Sequence, residues 1–235
     1  MSQPYAGGEL ELFAAATHWK AYFASVLRPF VAGRVLEVGA GIGTNIPFLH
    51  NERVTCWTGL EPDPALARRI EEGVAAGSLP GDCRVLSGTT RTLAPAAQYD
   101  TILYIDVLEH IADDRGELGC ARRHLAPAGH LVVLAPAHQF LFSAFDASIG
   151  HHRRYSRAGL LRLAPPECRL ATCRMLDGAG FFASLANRLL LSEAMPTARQ
   201  IAFWDRFLVP VSRRLDGALG YRFGKTVVAA WRAAA

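Results

Sequence analysis

The feature that most constrains this chain is a regular alternation of apolar strand segments with helical segments over residues 34–137. The strand segments are continuous runs of branched and aliphatic residues, without a strict apolar–polar alternation. Such strands are buried on both faces, which is typical of a parallel sheet covered by helices. Five of them are visible, and they read RVLEVGAG, VTCWTGLEP, CRVLSG, YDTILYIDVLEH and HLVVLAPA. The predicted fold class is α/β, a Rossmann-like, doubly wound and mainly parallel sheet with helices on both faces.

Proline, glycine and capping residues set the predicted helix ends. Residues 10–30 are expected to form one amphipathic helix that ends near a proline. The helix after the second strand is expected to begin at its N-cap, Asp63, and to stop at Gly77. The helix over DDRGELGCARRHLAPAG is expected to run on to Pro127.

The pattern is less regular after the fifth strand. The expected elements are a helix from about Arg157, a strand near CRLATCRML, helical patches over residues 180–194 and 198–219, and a last strand in KTVVAAWRA. No linker or internal repeat divides the chain, so residues 1–235 are predicted to form one domain. Residues 137–165 and 178–220 are expected to be additions on the substrate side of that domain.

Composition excludes several classes of protein. The chain has 235 residues, 51% hydrophobic and 20% charged, with a formal net charge of +4 at pH 7. This charge is far below the clustered Lys/Arg load of a nucleic-acid-binding protein, so no nucleic-acid partner is expected. The five cysteines form neither a C-x-x-C pair nor a metal-ligand spacing, which predicts reduced thiols, no metal and a cytoplasmic location. No secretory signal and no membrane span of roughly 20 apolar residues is expected.

The turn after the first strand carries three glycines at alternate positions. The segment EVGAGIGTN places them at Gly39, Gly41 and Gly43, a pattern that differs from the G-x-G-x-x-G of dinucleotide-binding proteins. Glu37 precedes the turn. A carboxylate there opposes a phosphate group and favours a cation such as the ammonium of an amino acid.

Further motifs follow the other strands. Glu61 ends the second strand in GLEPD, and its two carboxylate oxygens suit the two hydroxyls of a ribose. The segments SGTT and YIDVLEH, after the third and fourth strands, would flank an adenine and the reacting end of the ligand. Because ligands bind beyond the carboxyl ends of the strands in a doubly wound sheet, these segments are predicted to surround one site.

This set of motifs resembles the class I S-adenosylmethionine-dependent methyltransferases. The segments VLEVGAGIG, GLEPD and DTILYIDVLEH occur in that family's order and approximate spacing, over roughly residues 30–135. The resemblance implies a seven-stranded sheet whose last strand forms an antiparallel hairpin with the sixth. It also implies a helical lid from residues 1–30, S-adenosylmethionine as cofactor and S-adenosylhomocysteine as product.

Carried over by position, the resemblance assigns Glu37, Gly39 and Gly41 to the methionine part of the cofactor and Glu61 to its ribose. The family commonly has an acidic residue where Thr89 stands here, so the adenine contact is left to a hydroxyl or a backbone carbonyl. The full set of expected cofactor-binding residues is Glu37, Gly39, Ala40, Gly41, Gly43, Glu61, Pro62, Gly88, Thr89, Thr90, Asp106, Val107 and Leu108.

The segment FDASIGHHRRYS, residues 145–156, is expected to form the acceptor side of the site, because it leaves the sheet at the same edge. Methyl transfer from a sulfonium requires mainly alignment, but a hydroxyl acceptor must also lose its proton. A histidine side chain can take that proton near neutral pH. His151 and His152 are the candidate catalytic bases, with His110 on the neighbouring loop as a competitor.

The same segment carries the candidates for holding the acceptor, which are Asp146, Arg153, Arg154 and Tyr155. The arginines could bind a phosphate or carboxylate by forked hydrogen bonds, and Asp146 could orient a histidine or pair with an arginine. The alternative is structural: Tyr155 packs beneath a helix that Ser156 caps, and the arginines are solvated or paired with Asp146. Both interpretations stay open at this point.

The expected reaction is methylation of oxygen, in preference to nitrogen or carbon. The GHHRRY stretch is similar to that of enzymes associated with sugars or lipid-linked molecules, which implies a small molecule, a glycan or a lipid-linked acceptor. An apolar stripe at helical spacing (Ile201, Trp204, Phe207 and Leu208) indicates either packing on the sheet or peripheral contact with a membrane. Two other functions are considered: an NAD-dependent oxidoreductase, and a cofactor-binding module that has lost catalysis.

Overall fold

A seven-stranded mixed sheet forms the centre of the computed structural model, which describes residues 8–186 and 196–235. The strand order is β3-β2-β1-β4-β5-β7-β6. The first five strands run parallel, and β7 is antiparallel to both β5 and β6. The strands are β1 Gly33–Val38, β2 Val54–Glu61, β3 Cys83–Ser87, β4 Tyr99–Ile105, β5 Leu125–Pro136, β6 Cys168–Leu176 and β7 Thr226–Ala233. The predicted Rossmann-like sheet with its terminal antiparallel hairpin is confirmed.

Helices cover both faces of this sheet. They are α1 Gly8–Ala14, α2 Thr17–Leu27, α3 Ile46–Leu49, α4 Pro64–Ala75, α5 Asp114–Arg123, α6 Ala144–Ser148, α7 Arg157–Leu161, α8 Gly178–Ala186, α9 Ala198–Phe203 and α10 Val209–Ala218. A wide π-helical turn, Trp204–Leu208, joins α9 to α10. Within the two described stretches, no helix combines the length and the apolarity that crossing a bilayer requires. Residues 187–194 of the predicted helical patch lie outside the described residues.

Two apolar clusters, one on each face of the sheet, form the core. Successive strand residues point to opposite faces, so Val35 and Leu36 of β1 belong to different clusters. The cluster of Val35 includes residues of α2, α9 and α10, whereas the cluster of Leu36 includes residues of α5 and α7. Both residues have no exposed surface.

Residues 10–30 form two helices, so the prediction of a single helix was wrong. The chain breaks after α1, where the Lys20 ammonium donates to the Phe13 carbonyl oxygen (2.6 Å). The first backbone N–H groups of α2 donate to Asp205, at 3.1 Å from His18 and 2.8 Å from Trp19. A cap supplied from so far along the chain leaves no local signal in the sequence.

The helix predicted to run to Pro127 ends earlier, at Arg123. The Tyr99 N–H donates to the His124 carbonyl oxygen (2.8 Å), and Leu125 pairs with Tyr99 in the sheet. Pairing with β4 therefore ends the helix before the proline, and the residues from Leu125 onward belong to β5.

Other predicted helix ends are confirmed. Asp63 caps α4 by accepting from the N–H groups of Ala65 (2.8 Å) and Leu66 (3.4 Å). Gly77 adopts a φ of 71° just after that helix, a conformation that favours glycine. Ser156 caps α7 by accepting from the N–H of Gly159 (2.9 Å).

Candidate active site

A single large cleft opens beyond the carboxyl ends of the parallel strands, in the part of the chain that the structure describes. The turns that follow β1, β2, β3, β4 and β5 all line it, and α1 and α2 contribute to its cover. Strand order reverses between β1 and β4, which is where doubly wound sheets bind ligands. The cleft has a volume of about 1970 Å³. Small-molecule sites are typically about 300–1,000 Å³, so this cleft has room for two ligands.

The glycine turn brings backbone into the cleft. Gly39 and Gly41 line it, with φ values of 66° and 57°, and Ala40 lies between them. A Cβ on Gly39 would lie 2.6 Å from Cγ2 of Val107, so glycine is required for this close approach. Gly43 does not line the cleft, because it packs inward against Ile70 and its neighbours.

Glu61 joins the glycine turn to the end of β2. Its Oε2 accepts from the Gly41 N–H (2.8 Å), and its Oε1 accepts from the Asp63 N–H (3.0 Å). Burial raises the pKa of Glu61, and these two backbone hydrogen bonds oppose that shift. Each oxygen keeps a second lone pair towards the cleft that Glu61 and Pro62 line, so the carboxylate can still accept from a diol.

Glu37 lies beside the cleft wall, next to Val38 and Gly39, which line it. Its side chain is buried, and Oε1 accepts from Nδ2 of Asn45 (2.9 Å). Oε2 is buried as well and accepts no hydrogen bond of normal geometry from a described residue, although the Trp57 side chain is close enough to oppose the rise in the pKa of Glu37. Burial raises the pKa of Glu37 to about 7. An acceptor atom left without a donor is costly unless a ligand supplies one, and an ammonium group would do so.

The residues after β4 divide between the cleft and the core. Asp106 and Val107 line the cleft, and Asp106 has a φ of 52°, unusual for a residue other than glycine. The Asp106 side chain reaches the solvent of the cleft. The protein around its carboxylate still partly desolvates it, which raises its pKa to about 6. Leu108 does not reach the cleft; it is fully buried in the cluster on the α5 face.

The turn after β3 is divided in the same way. Gly88 and Thr89 line the cleft. Thr90 is buried, and its hydroxyl donates to Oε1 of Glu117 (2.8 Å). This hydrogen bond directs Thr90 away from the position that was predicted for it.

His151 is the histidine of the HHRRY stretch that lines the cleft. Its Nδ1 lies 2.9 Å from Oδ1 of Asp146. Asp146 is fully buried and also accepts two hydrogen bonds from Arg154, at 2.8 and 2.9 Å. Burial alone would raise the pKa of Asp146, but the hydrogen bonds from His151 and Arg154 outweigh it and lower the pKa. An ionised carboxylate only accepts, so Nδ1 of His151 donates to it, and in the neutral form of the ring the lone pair lies on Nε2.

The remaining candidates of that stretch do not meet at the cleft. The His152 side chain is exposed and does not line the cleft. Its backbone N–H donates to the Glu109 carbonyl oxygen (2.8 Å). Arg153 pairs with Asp114 (2.8 Å) outside the cleft. The Tyr155 hydroxyl donates to that same carboxylate (2.9 Å) and is buried, so the structural interpretation of Tyr155 is confirmed.

Glu109 was missed in the sequence and lies beside His151 in the cleft wall. Its side chain is fully buried, and neither of its oxygens accepts a hydrogen bond from a described residue. Burial and the charge of Asp106 raise its pKa well above the usual range, which favours the neutral acid. Oε1 lies 3.8 Å from Nε2 of His151.

His110 completes this corner, with its ring edge-to-face against that of His151 at 4.5 Å between centroids. Burial lowers the pKa of His110 to about 4, so its ring is neutral near pH 7. One ligand atom from each of Glu109, His110 and His151 lies within 4.8 Å of the others, a spacing that could hold a metal ion.

Lys20 is a second cleft residue that sequence reasoning missed. It lies on α2 with its side chain almost wholly buried, and it lines the cleft on the side of the glycine turn. Burial lowers its pKa, against the charges of Asp106, Asp205 and Glu37. The sequence did carry a signal for this residue, because Lys20 lies among the apolar residues Trp19 and Phe23 on the buried side of α2.

The comparisons with known proteins agree with this geometry. A family model described as a methyltransferase domain matches residues 11–180. Among curated proteins, none matches the sequence significantly. The matched residues cover β1 to β6, the glycine turn and the His151 loop.

Solved structures with the same fold share little sequence with this chain. Coclaurine N-methyltransferase, bound to N-methylheliamine and S-adenosylhomocysteine, is 16% identical, with a TM-score of 0.61 over 93% of this chain and 72% of its own. N-methyltransferase NodS from Bradyrhizobium japonicum, bound to S-adenosylhomocysteine, is 15% identical, with a TM-score of 0.55 over 92% and 85%. The cyclase SpnF is 14% identical, with a TM-score of 0.63 over 91% and 80%. At this identity the likeness concerns the fold alone.

Proposed function

The chain belongs to the class I S-adenosylmethionine-dependent methyltransferase family, and from this premise we propose that it methylates a hydroxyl oxygen. The acceptor is a small molecule, a sugar or a lipid-linked molecule. The observation that carries the choice of oxygen is the Asp146–His151 pair, because a hydroxyl acceptor must lose its proton to a base, whereas a neutral amine attacks through its own lone pair.

The residues present fit S-adenosylmethionine. Glu61 can accept from the ribose hydroxyls with the lone pairs that its backbone donors leave free. The unpartnered Oε2 of Glu37 suits the ammonium of the methionine part. Gly39 and Gly41 let the backbone approach the ligand closely. When bound, the cofactor supplies a sulfonium-activated methyl group.

His151 acts as the base in this proposal. The ionised Asp146 holds Nδ1–H of His151, which fixes the ring and leaves the lone pair of Nε2 for the proton of the acceptor hydroxyl. Arg154 remains bound to Asp146 and helps to keep that carboxylate ionised. The protonated imidazole then lies next to a buried carboxylate, an arrangement that stabilises its new charge.

The rest of the cleft wall orients the acceptor and excludes water. Phe13, Trp19, Phe145 and Trp204 line the cleft, and their rings contact one another at centroid distances of 5.7–6.5 Å. An apolar wall of this kind strengthens the electrostatic contacts within the site. His110 and Glu109, both favoured in their neutral forms, add no charge that would compete for the hydroxyl proton.

Calorimetry with S-adenosylhomocysteine tests the cofactor part of the proposal. The wild type is expected to bind it and to show no response to NAD. Glu61→Ala is expected to abolish binding without unfolding the protein, whereas Glu72→Ala, an exposed glutamate on α4, should bind normally. Binding of NAD in place of S-adenosylhomocysteine would restore the oxidoreductase alternative. Unchanged affinity in Glu61→Ala would remove Glu61 from the ribose.

Transfer of a labelled methyl group tests the reaction. S-adenosylmethionine labelled in its methyl group is incubated with a panel of phenols, sugars and lipid-linked sugars. Label on a hydroxyl oxygen supports the proposal, and label on an amine or a carbon contradicts it. Cofactor binding with no label on any acceptor class would favour the inactive binding module.

The free thiols at all five cysteines support our proposal that the protein works in the reducing cytoplasm.

A further inference from the structure

The rod formed by α9, the π-helical turn and α10 carries a line of large apolar side chains on its outer surface. Every fourth residue from 203 to 219 contributes one, and their exposed fractions range from 43% to 56%. We name them the apolar stripe, which consists of Phe203, Phe207, Val211, Leu215 and Leu219. It shares Phe207 with the set expected from the sequence, of which Ile201 and Trp204 are buried. Contiguous exposed apolar surface of this kind marks an interaction site more often than scattered single residues do.

The inner surface of the same rod is fixed to the protein, so the stripe cannot turn inward. The Trp204 indole N–H donates to Oδ2 of Asp177 (2.7 Å), and the Ser212 hydroxyl donates to Oδ1 of the same carboxylate (2.6 Å). Asp216 accepts from the Tyr22 hydroxyl (2.7 Å). These groups are buried, and rotating the rod would break all of their hydrogen bonds.

The exposed charges that the rod itself carries have one sign. Between residues 198 and 222 the only acids are Asp205 and Asp216, and both are buried and hydrogen bonded within the protein. Five exposed arginines accompany the stripe, and none forms an ion pair with a residue that the structure describes. They are Arg199, Arg206, Arg213, Arg214 and Arg222.

An apolar line on a rod whose exposed charges are all arginines is complementary to an anionic lipid surface. Amphipathic helices bind there by sinking apolar side chains between the headgroups while basic residues meet the lipid phosphates. A second copy of this face would bring the same positive charges together, which opposes self-association at the stripe. We therefore propose that the apolar stripe docks the protein on the surface of an anionic phospholipid bilayer.

Docking there would place the mouth of the cleft against the membrane. Phe203 and Arg199 belong to this face and also line the cleft. Phe182 on α8, whose neighbours Ala183 and Ser184 line the cleft, is 64% exposed. The docking does not depend on methyl transfer. Its consequence, that the acceptor is lipid-linked, rests on the proposed function.

Co-sedimentation with vesicles tests the docking. The wild-type protein is expected to sediment with phosphatidylcholine vesicles that contain phosphatidylglycerol, to bind pure phosphatidylcholine weakly, and to dissociate as salt is added. Each arginine near the surface contributes about fivefold to partitioning, so Arg206→Glu with Arg213→Glu should reduce binding by at least about 25-fold. Phe207→Ser with Leu215→Ser should abolish it.

Two matched controls and two further measurements make the test decisive. Arg68→Glu on α4 and Leu170→Ser on β6 alter exposed residues away from the stripe, and both should bind vesicles as the wild type does. Circular dichroism and S-adenosylhomocysteine calorimetry on every variant report folding and cofactor binding separately from docking. Equal affinity of the wild type for anionic and neutral vesicles, or no affinity for either, overturns the docking proposal. A dimer that forms without lipid and is lost in Phe207→Ser with Leu215→Ser overturns it too, in favour of self-association.

Discussion

The two halves of the cleft are built in different ways. In the cofactor half, the residues lie at the end of a strand or follow it by up to three positions, and hydrogen bonds join the ends of neighbouring strands. Glu61 accepts from the Gly41 N–H through its side chain (2.8 Å) and from the Gly88 N–H through its carbonyl oxygen (3.0 Å). In the acceptor half, His151 depends on Asp146 in its own loop, but that loop packs on the segment after β4 through the N–H of His152 and the carbonyl of Glu109. The cofactor half is therefore built from the ends of neighbouring strands, and the acceptor half from one loop that is anchored on the segment after β4.

The largest expected effect concerns the base. His151→Ala should lower kcat for the acceptor found in the panel by about 10²–10⁴-fold, because general-base assistance contributes that much. The affinity for S-adenosylhomocysteine should stay as it is, since His151 lies in the acceptor half. His152→Ala is the matched control and should turn over normally. A His151→Ala enzyme that works at the wild-type rate would end the assignment of the base.

The next effect is on stability. Asp146→Ala leaves the mostly buried Arg154 guanidinium without its partner, and a broken buried pair costs about 3–5 kcal/mol of unfolding free energy. Asp100→Ala breaks the exposed pair with Arg34, which should cost no more than about 1 kcal/mol. Urea titrations of both variants give the comparison. Equal losses of unfolding free energy in the two variants would show that the buried Asp146–Arg154 pair contributes no more to stability than the exposed Asp100–Arg34 pair.

A smaller effect is expected in the cofactor half, where the affinity for S-adenosylhomocysteine should depend on pH. The pKa of Glu37 is raised to about 7, so its carboxyl is neutral below that pH and ionised above it. A cationic ammonium group favours the ionised form, and affinity for S-adenosylhomocysteine should therefore weaken as pH falls below 7, by at most about tenfold per unit. Calorimetry from pH 6 to 8 measures this, and Glu37→Gln should flatten the profile. A wild-type profile that is already flat would argue against contact between Glu37 and the ammonium.

The smallest expected effect is that of a chelator. If Nε2 of His151 takes the proton itself, the acceptor half needs no cation, and EDTA should leave the transfer rate unchanged. A loss of activity that Zn²⁺ or Mn²⁺ restores would show instead that Glu109, His110 and His151 act as metal ligands, for which their spacing is suitable.

The sequence predicted the sheet well because its strands are continuous apolar runs and its turns carry glycine, proline and Asp63. It failed at two helix ends for one physical reason, which is that distant groups decided them. Asp205 caps α2 across 187 positions, and pairing with β4 ends α5 early. Neither contact leaves a mark within the segment itself.

The site was predictable to a similar degree. Gly39, Gly41 and Glu61 line the cleft as expected from their places after β1 and β2. Which of His151 and His152 faces the cleft depends on the packing of a loop, and consecutive residues in a loop have no fixed periodicity. Lys20 and Glu109 were missed because a buried charge in an apolar stretch resembles an ordinary surface residue until its surroundings are known.

The position of β7 has a consequence for how the chain is made. It lies between β5 and β6, and among the described strands β6 pairs with β7 alone, although β7 is synthesised some fifty residues later. While the polypeptide emerges from the ribosome, β5 has an open edge and β6 has no partner until residues 226–233 arrive. Ribosome-bound chains that stop before this strand should therefore depend on chaperones to shield the open edge of β5 and the unpaired β6, whereas the glycine turn after β1 can already have formed.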